Sequence, residues 1–161
     1  MVTKMKKTNA ARFLDKLKIL YELLEYEVDE TDLSAENAAE KMSQPLMQVF
    51  KTLVIRGDKT GVIIVCIPGG SELDLKATAS LSGNKKILMI HLKEIKSLTG
   101  YIRGGVSPLE MKKNYPAYID ESAFKFPFIL ISAGVRGKQL KINPLDLSKA
   151  IKLIPGKLTI N

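Results

Sequence analysis

The 161-residue chain has no tryptophan, a single histidine (His91) and a single cysteine (Cys66). A lone histidine cannot build a multi-histidine metal centre, so neither a metal nor any other cofactor is expected. A lone cysteine cannot close an internal disulfide, which accords with a reducing compartment. Without tryptophan, and with few other aromatics, a stacking platform for single-stranded nucleic acid is not indicated. No apolar run approaches the roughly 20 residues that a membrane helix requires. The basic start, MVTKMKKTNAARF, meets further charge before a signal-peptide core forms. A cytoplasmic protein forming one domain over residues 1–161, without a membrane partner, is expected. The glycine pairs Gly69-Gly70 and Gly104-Gly105 stand in neither a GxGxxG nor a Walker context.

What is present is ordinary for a globular protein: 45% hydrophobic and 26% charged residues. The formal charge of +8 is unevenly spread. Between Ser132 and Asn161, Arg136, Lys138, Lys141, Lys149, Lys152 and Lys157 face Asp146 alone, whereas cations and acids balance over residues 1–60. Such a segment either attracts phosphates or is a solvated face that keeps the protein dispersed. Charge leaves both readings open.

Local pattern predicts a helix from about Asn9 to Leu20 capped by Thr8, extended chain over Tyr21–Val28, and helices opened by Ser34 and by Ser43-Pro45. The β-branched runs Val49–Arg56 and Val62–Ile67 flank a turn-rich connector and predict a hairpin. Helices are expected over Leu73–Leu81 and Leu92–Leu98, with a buried strand at Ile87–Ile90 between them. Gly100–Pro108 reads as a loop, Phe126–Ser132 and Leu140–Ile142 as strands, and Pro144 as a helix start. Without a regular βαβ rhythm, the pattern favours an α+β mixed sheet over a Rossmann fold.

Few residues offer chemistry. Cys66 lies inside an apolar run and reads as a small core side chain, so a Cys66–His91 catalytic pair is disfavoured. Lys51 is the anomaly, because strand alternation places it on the face of Val49, Leu53 and Ile55. Either its stem covers apolar surface at a sheet edge while the ammonium reaches water, or the ammonium stands at the floor of a pocket. Pattern alone leans to the first. Gly104 and Gly105 permit close backbone approach to a ligand, and their N–H groups suit a developing oxyanion. Ser132 ends an apolar strand and, with no nearby histidine, suits hydrogen bonding better than nucleophilic attack.

The segments Thr8–Asp15, Val49–Leu53, Leu73–Lys76, Thr99–Leu109, Asp120 and Ser132–Gly137 stand in an order that resembles the YbaK/EbsC family. These are Cys-tRNA(Pro)/Cys-tRNA(Cys) deacylases, related to the editing domain of bacterial prolyl-tRNA synthetases. The resemblance covers residues 7–155. It implies an α+β fold with helices around a mixed, largely antiparallel, barrel-like sheet. It also implies a partner, the acceptor end of mischarged tRNA, and an association with prolyl-tRNA synthetase. The activity implied is ester cleavage without a protein nucleophile, in which the thiol of the misattached cysteine attacks its own carbonyl. By the same resemblance Lys51, Gly104 and Ser132 serve the reaction, and Tyr26, Gly105, Gly134 and Arg136 hold the substrate. Two departures bear on specificity: Ala133 replaces a second glycine common in the loop, and Val28 replaces a polar residue. Alternatives are an Ala-tRNA(Pro) deacylase and a non-catalytic tRNA- or synthetase-binding module.

Overall fold

In the computed structural model, residues 6–160 are described; the first part of the basic start and Asn161 lie outside them. Thr8 opens helix α1 (Asn9–Lys16), its Oγ1 accepting the Ala11 N–H at 3.2 Å. The helix stops short of the expected Leu20 because Lys18 takes a left-handed conformation, φ 59°. That turn buries Ile19 and leaves Leu20 exposed. Strand β1 (Glu22–Glu25) follows. Helix α2 (Ala35–Met42) starts at Ser34, whose Oγ accepts the Asn37 N–H, and ends at the left-handed Ser43. The next predicted helix is a single 3-10 turn, Leu46–Gln48.

The hairpin forms as strands β2 (Phe50–Gly57) and β3 (Gly61–Pro68), paired along their whole length. Asn84 fastens its turn, with Oδ1 accepting the N–H groups of Lys59 and Thr60. After β4 (Glu72–Leu73), Asp74 caps α3 (Leu75–Ser82). Strand β5 (Ile87–Met89) is not the buried strand expected; it lies at a sheet edge, and Leu88 and Met89 are exposed. The segment after it begins as a 3-10 turn, Leu92–Glu94, before α4 (Ile95–Thr99). Strand β6 (Ala117–Asp120), wholly buried, has no counterpart in the predicted elements. After a 3-10 stretch, Glu121–Lys125, come β7 (Ile129–Ser132), β8 (Lys138–Ile142), α5 (Pro144–Ala150), β9 (Ile154–Gly156) and β10 (Thr159–Ile160).

The strands form a five-stranded sheet in the order β5-β2-β3-β6-β9, a three-stranded sheet β1-β8-β7, and the pair β10-β4. Only β3–β6 and β6–β9 run parallel among these pairings, so the α+β class and the mixed, largely antiparallel sheet agree with expectation. The barrel does not close. One edge strand, β9, carries Pro155, which has no N–H to extend the ladder. An isolated parallel bridge, Val49 to Leu130, connects the two larger sheets.

One face of the hairpin packs Phe50, Val54, Ile64 and Cys66 against α1 and the inner face of β7. The other packs Ile55, Ile63, Val65 and Ile67 against α3 and Leu158. Among the described residues no helix is long and apolar enough to cross a membrane.

Candidate active site

The central feature is the free half of β2. Strand β5 pairs with β2 only at Ile55–Gly57, so Phe50–Val54 have a ladder neighbour on one side alone. A cavity of about 690 Å³ opens along this free half. It is closed on one side by the N-terminal turn of α2 and on another by the ends of β7 and β8. The turn Gly69-Gly70 permits the closure: a Cβ on Gly69 would sit 2.0 Å from the Ala35 Cβ.

Lys51, Tyr26, Gly104 and Ser132 all line this cavity, although they come from four separate parts of the chain. Lys51 is half-buried opposite Ile67. None of the ion pairs among the described residues involves its ammonium. Tyr26 is held through its backbone, its N–H donating to Gly137 O at 2.9 Å. Gly137 must be glycine: its φ is +84°, and a Cβ would lie 2.9 Å from Tyr26 O and 2.7 Å from the Val28 side chain. Val28 thus packs against the hairpin turn that carries the site.

Ser132 is 8% exposed at the end of β7, where its Oγ accepts the Gly134 N–H at 3.1 Å. The glycine loop divides its donors. The Gly105 N–H closes a turn onto Ile102 O, while the Gly104 N–H makes no backbone hydrogen bond among the described residues. Gly104, exposed and lining the cavity, is therefore the donor of the pair that remains available to a ligand.

The other three predicted residues stand behind the wall and do not line the cavity. Gly105 lets two loops touch, since a Cβ there would meet the Val135 backbone at 3.1 Å. Gly134 lies over the Tyr101 ring, which would be 2.9 Å from a Cβ. Arg136 clamps the wall: its Nε donates to Arg103 O at 2.8 Å and its guanidinium pairs with Glu30 at 2.6 Å. The clamp joins the loop of Gly104 to the loop that follows Ser132.

Sequence inspection missed Gln139. It faces Ser132 across the β7–β8 ladder, lines the cavity and is 8% exposed. Its Oε1 is buried without a hydrogen-bond partner among the described residues. Leaving such an acceptor unpaired costs about 1–3 kcal/mol, a cost that a ligand donor can remove.

The set-aside nucleophile stays aside. Cys66 is fully buried, and burial pushes its thiol up to about 12, so it is not a thiolate at neutral pH. His91 is exposed at the start of the Leu92–Glu94 turn, where its N–H donates to Glu94. Neither lines the cavity. Among the described residues there is no group of three or more His, Cys, Asp and Glu side chains placed to hold a metal.

Comparison with known proteins gives the same direction. Residues 30–150 match the family model of the aminoacyl-tRNA editing domain. An Enterococcus faecalis protein, EbsC, named as a proposed Cys-tRNA(Pro)/Cys-tRNA(Cys) deacylase, is 48% identical over 138 residues, 86% of this chain and 84% of its own length. The uncharacterised YwhH of Bacillus subtilis is 28% identical over 123 residues, 76% of this chain and 78% of its own. Among solved structures, a proposed trans-editing enzyme for prolyl tRNA synthetase superposes with a TM-score of 0.81 at 23% identity, covering 97% of this chain and 100% of that one. At that identity the likeness speaks for the fold.

Proposed function

The chain belongs to the aminoacyl-tRNA editing domain family, whose reaction is deacylation of aminoacyl-tRNA, and from that premise we propose that it removes cysteine from mischarged Cys-tRNA(Pro). It acts in trans in the cytoplasm, beside prolyl-tRNA synthetase.

The observation that carries this reading is the cavity itself. Its lining brings the Lys51 ammonium, the open Gly104 N–H and the buried Ser132 and Gln139 together with Glu36, Glu72 and Arg103, while neither Cys66 nor His91 lines it. In this reading Lys51, Gly104, Ser132 and Gln139 orient and polarise the ester rather than attack it. The nucleophile then comes from the substrate. The cysteinyl thiol attacks its own carbonyl carbon, the bond from that carbon to the ribose oxygen breaks, and the thiol proton ends on the departing ribose hydroxyl. The products are a cyclic thioester and free tRNA. Folding the side chain onto its carbonyl replaces a second reactant, and intramolecular placement of this kind accounts for large accelerations.

Each residue has a part in this reading. The Lys51 ammonium holds an oxygen of the tRNA end, the Gly104 N–H meets the charge that develops on the carbonyl oxygen, and Ser132 with Gln139 orients the aminoacyl group. Tyr26 closes the cavity, while Gly105, Gly134 and Arg136 fix the loops that form its wall. Deacylation assays on a panel of charged tRNAs test the assignment. Rapid loss of cysteine from Cys-tRNA(Pro), with Pro-tRNA(Pro) spared, supports it; tRNA binding with no deacylation of any substrate points to a non-catalytic module.

A further inference from the structure

A second groove, about 420 Å³, lies between α1 and the glycine loop and shares no lining residue with the cavity of Lys51. Arg12 and Lys16 come from one wall, Lys112 from the other, and Glu110 is the one acid among its lining residues. All three cations are exposed, and none takes part in an ion pair among the described residues. The groove has a firm frame. The Lys112 N–H donates to Thr99 O at 3.0 Å, and the Tyr101 hydroxyl donates to the carbonyl of Leu109.

The cation-rich segment that began at Ser132 is mostly engaged elsewhere. Arg136 pairs with Glu30, Lys149 with Asp146, Lys138 donates to Lys6 O, and the Lys141 ammonium stands 4.0 Å over the Phe128 ring. Among the described residues, only Lys152 and Lys157 of that segment are left without such a partner, whereas three cations in no ion pair meet around this one groove. The groove also adjoins the catalytic wall, because the Tyr101 ring that lines it lies directly under Gly134.

We infer that Arg12, Lys16 and Lys112 hold backbone phosphates of the tRNA acceptor stem while the aminoacyl end enters the Lys51 cavity. This inference rests on the deacylase reading above for the identity of the polyanion. Charge complementarity selects the occupant: three unpaired cations around a groove containing one acid suit a phosphate chain, and an acidic protein surface would need no second cavity beside it.

The test is the salt dependence of binding uncharged tRNA(Pro), followed by fluorescence anisotropy on the wild type and on an Arg12→Gln, Lys16→Gln, Lys112→Gln variant. Each phosphate contact contributes roughly 0.7–0.9 to the slope of log affinity against log salt. The variant is expected to lose about 2 from that slope and to bind at least about tenfold more weakly at low salt. Its kcat at saturating Cys-tRNA(Pro) is expected to stay at the wild-type value, because none of the three residues lines the catalytic cavity. Should the triple variant fold poorly, Lys16→Gln and Lys112→Gln alone are each expected to lower the slope by about 0.7–0.9. A folded variant with unchanged slope and affinity overturns the inference. Binding does not depend on ester cleavage, so the two readings separate: cation-dependent binding without cleavage supports the groove and overturns the deacylase, whereas cleavage with an unaltered slope does the reverse.

Discussion

Gln139 lies directly across the β7–β8 ladder from Ser132, and its buried Oε1 is without a hydrogen-bond partner among the described residues. An unpaired buried acceptor destabilises the free protein, and a substrate donor such as the aminoacyl ammonium would satisfy it. Gln139→Leu is expected to leave the melting temperature unchanged or raise it by a few degrees while lowering kcat/KM about tenfold. Thermal melts and deacylation kinetics on the same preparation check this. A stable variant with full activity would remove Gln139 from the site.

Lys51→Ala is expected to fold normally and to lose roughly tenfold to a hundredfold in deacylation rate, the equivalent of one charge-assisted contact worth about 1.5–3 kcal/mol. Lys51 is half-buried on the free half of β2, and among the described residues no carboxylate pairs with its ammonium. Single-turnover rates with circular dichroism settle the matter; unchanged activity would show that Lys51 only covers the sheet edge.

Gly137→Ala acts through the wall. Its positive φ, together with Tyr26 O at 2.9 Å from a Cβ, leaves no room for the methyl group. A loss of about 1–3 kcal/mol in unfolding free energy is expected, together with a higher KM as Tyr26 shifts. Urea denaturation gives the first quantity and steady-state kinetics the second. A variant as stable as the parent would mean that the hairpin turn relaxes freely.

The hairpin β2–β3, the caps at Thr8 and Ser34, and Lys51 as an oddity were legible in the sequence because each depends on neighbours along the chain. Strand β6 was not. Its four residues, Ala117–Asp120, follow Pro116 directly and show no alternation, since parallel partners β3 and β9 bury all of them. Gln139 was hidden for a related reason: its burial depends on facing Ser132 and on the cavity beyond, neither of which a local pattern carries. Arg136 shows the converse. A charge in a glycine-rich loop looks like a ligand contact, yet its guanidinium is engaged by Arg103 O and Glu30.

Cys66→Ala and His91→Gln are each expected to keep most of the activity. Cys66 also predicts a pH dependence. Its folded pKa is raised from 9.0 to about 12 by burial, so above pH 9 the unfolded chain releases a proton that the folded chain retains. The unfolded state then binds fewer protons, and stability falls as pH rises from 9 toward 12. Denaturation midpoints across that window should fall less steeply for Cys66→Ala than for the parent; equal slopes would contradict the buried thiol.

The most direct measurement of the central claim compares single-turnover deacylation of Cys-tRNA(Pro), Ser-tRNA(Pro) and Ala-tRNA(Pro) at equal tRNA concentrations. Serine is nearly isosteric with cysteine but carries a far weaker nucleophile, and alanine carries none. In the proposed mechanism the cavity's donors meet the carbonyl oxygen of all three alike, so binding alone does not separate them. Attack by the substrate thiol predicts rapid cleavage of the cysteinyl ester and slow cleavage of the other two. Equal rates for cysteine and alanine would contradict it and identify a water-dependent Ala-tRNA(Pro) deacylase on the same scaffold.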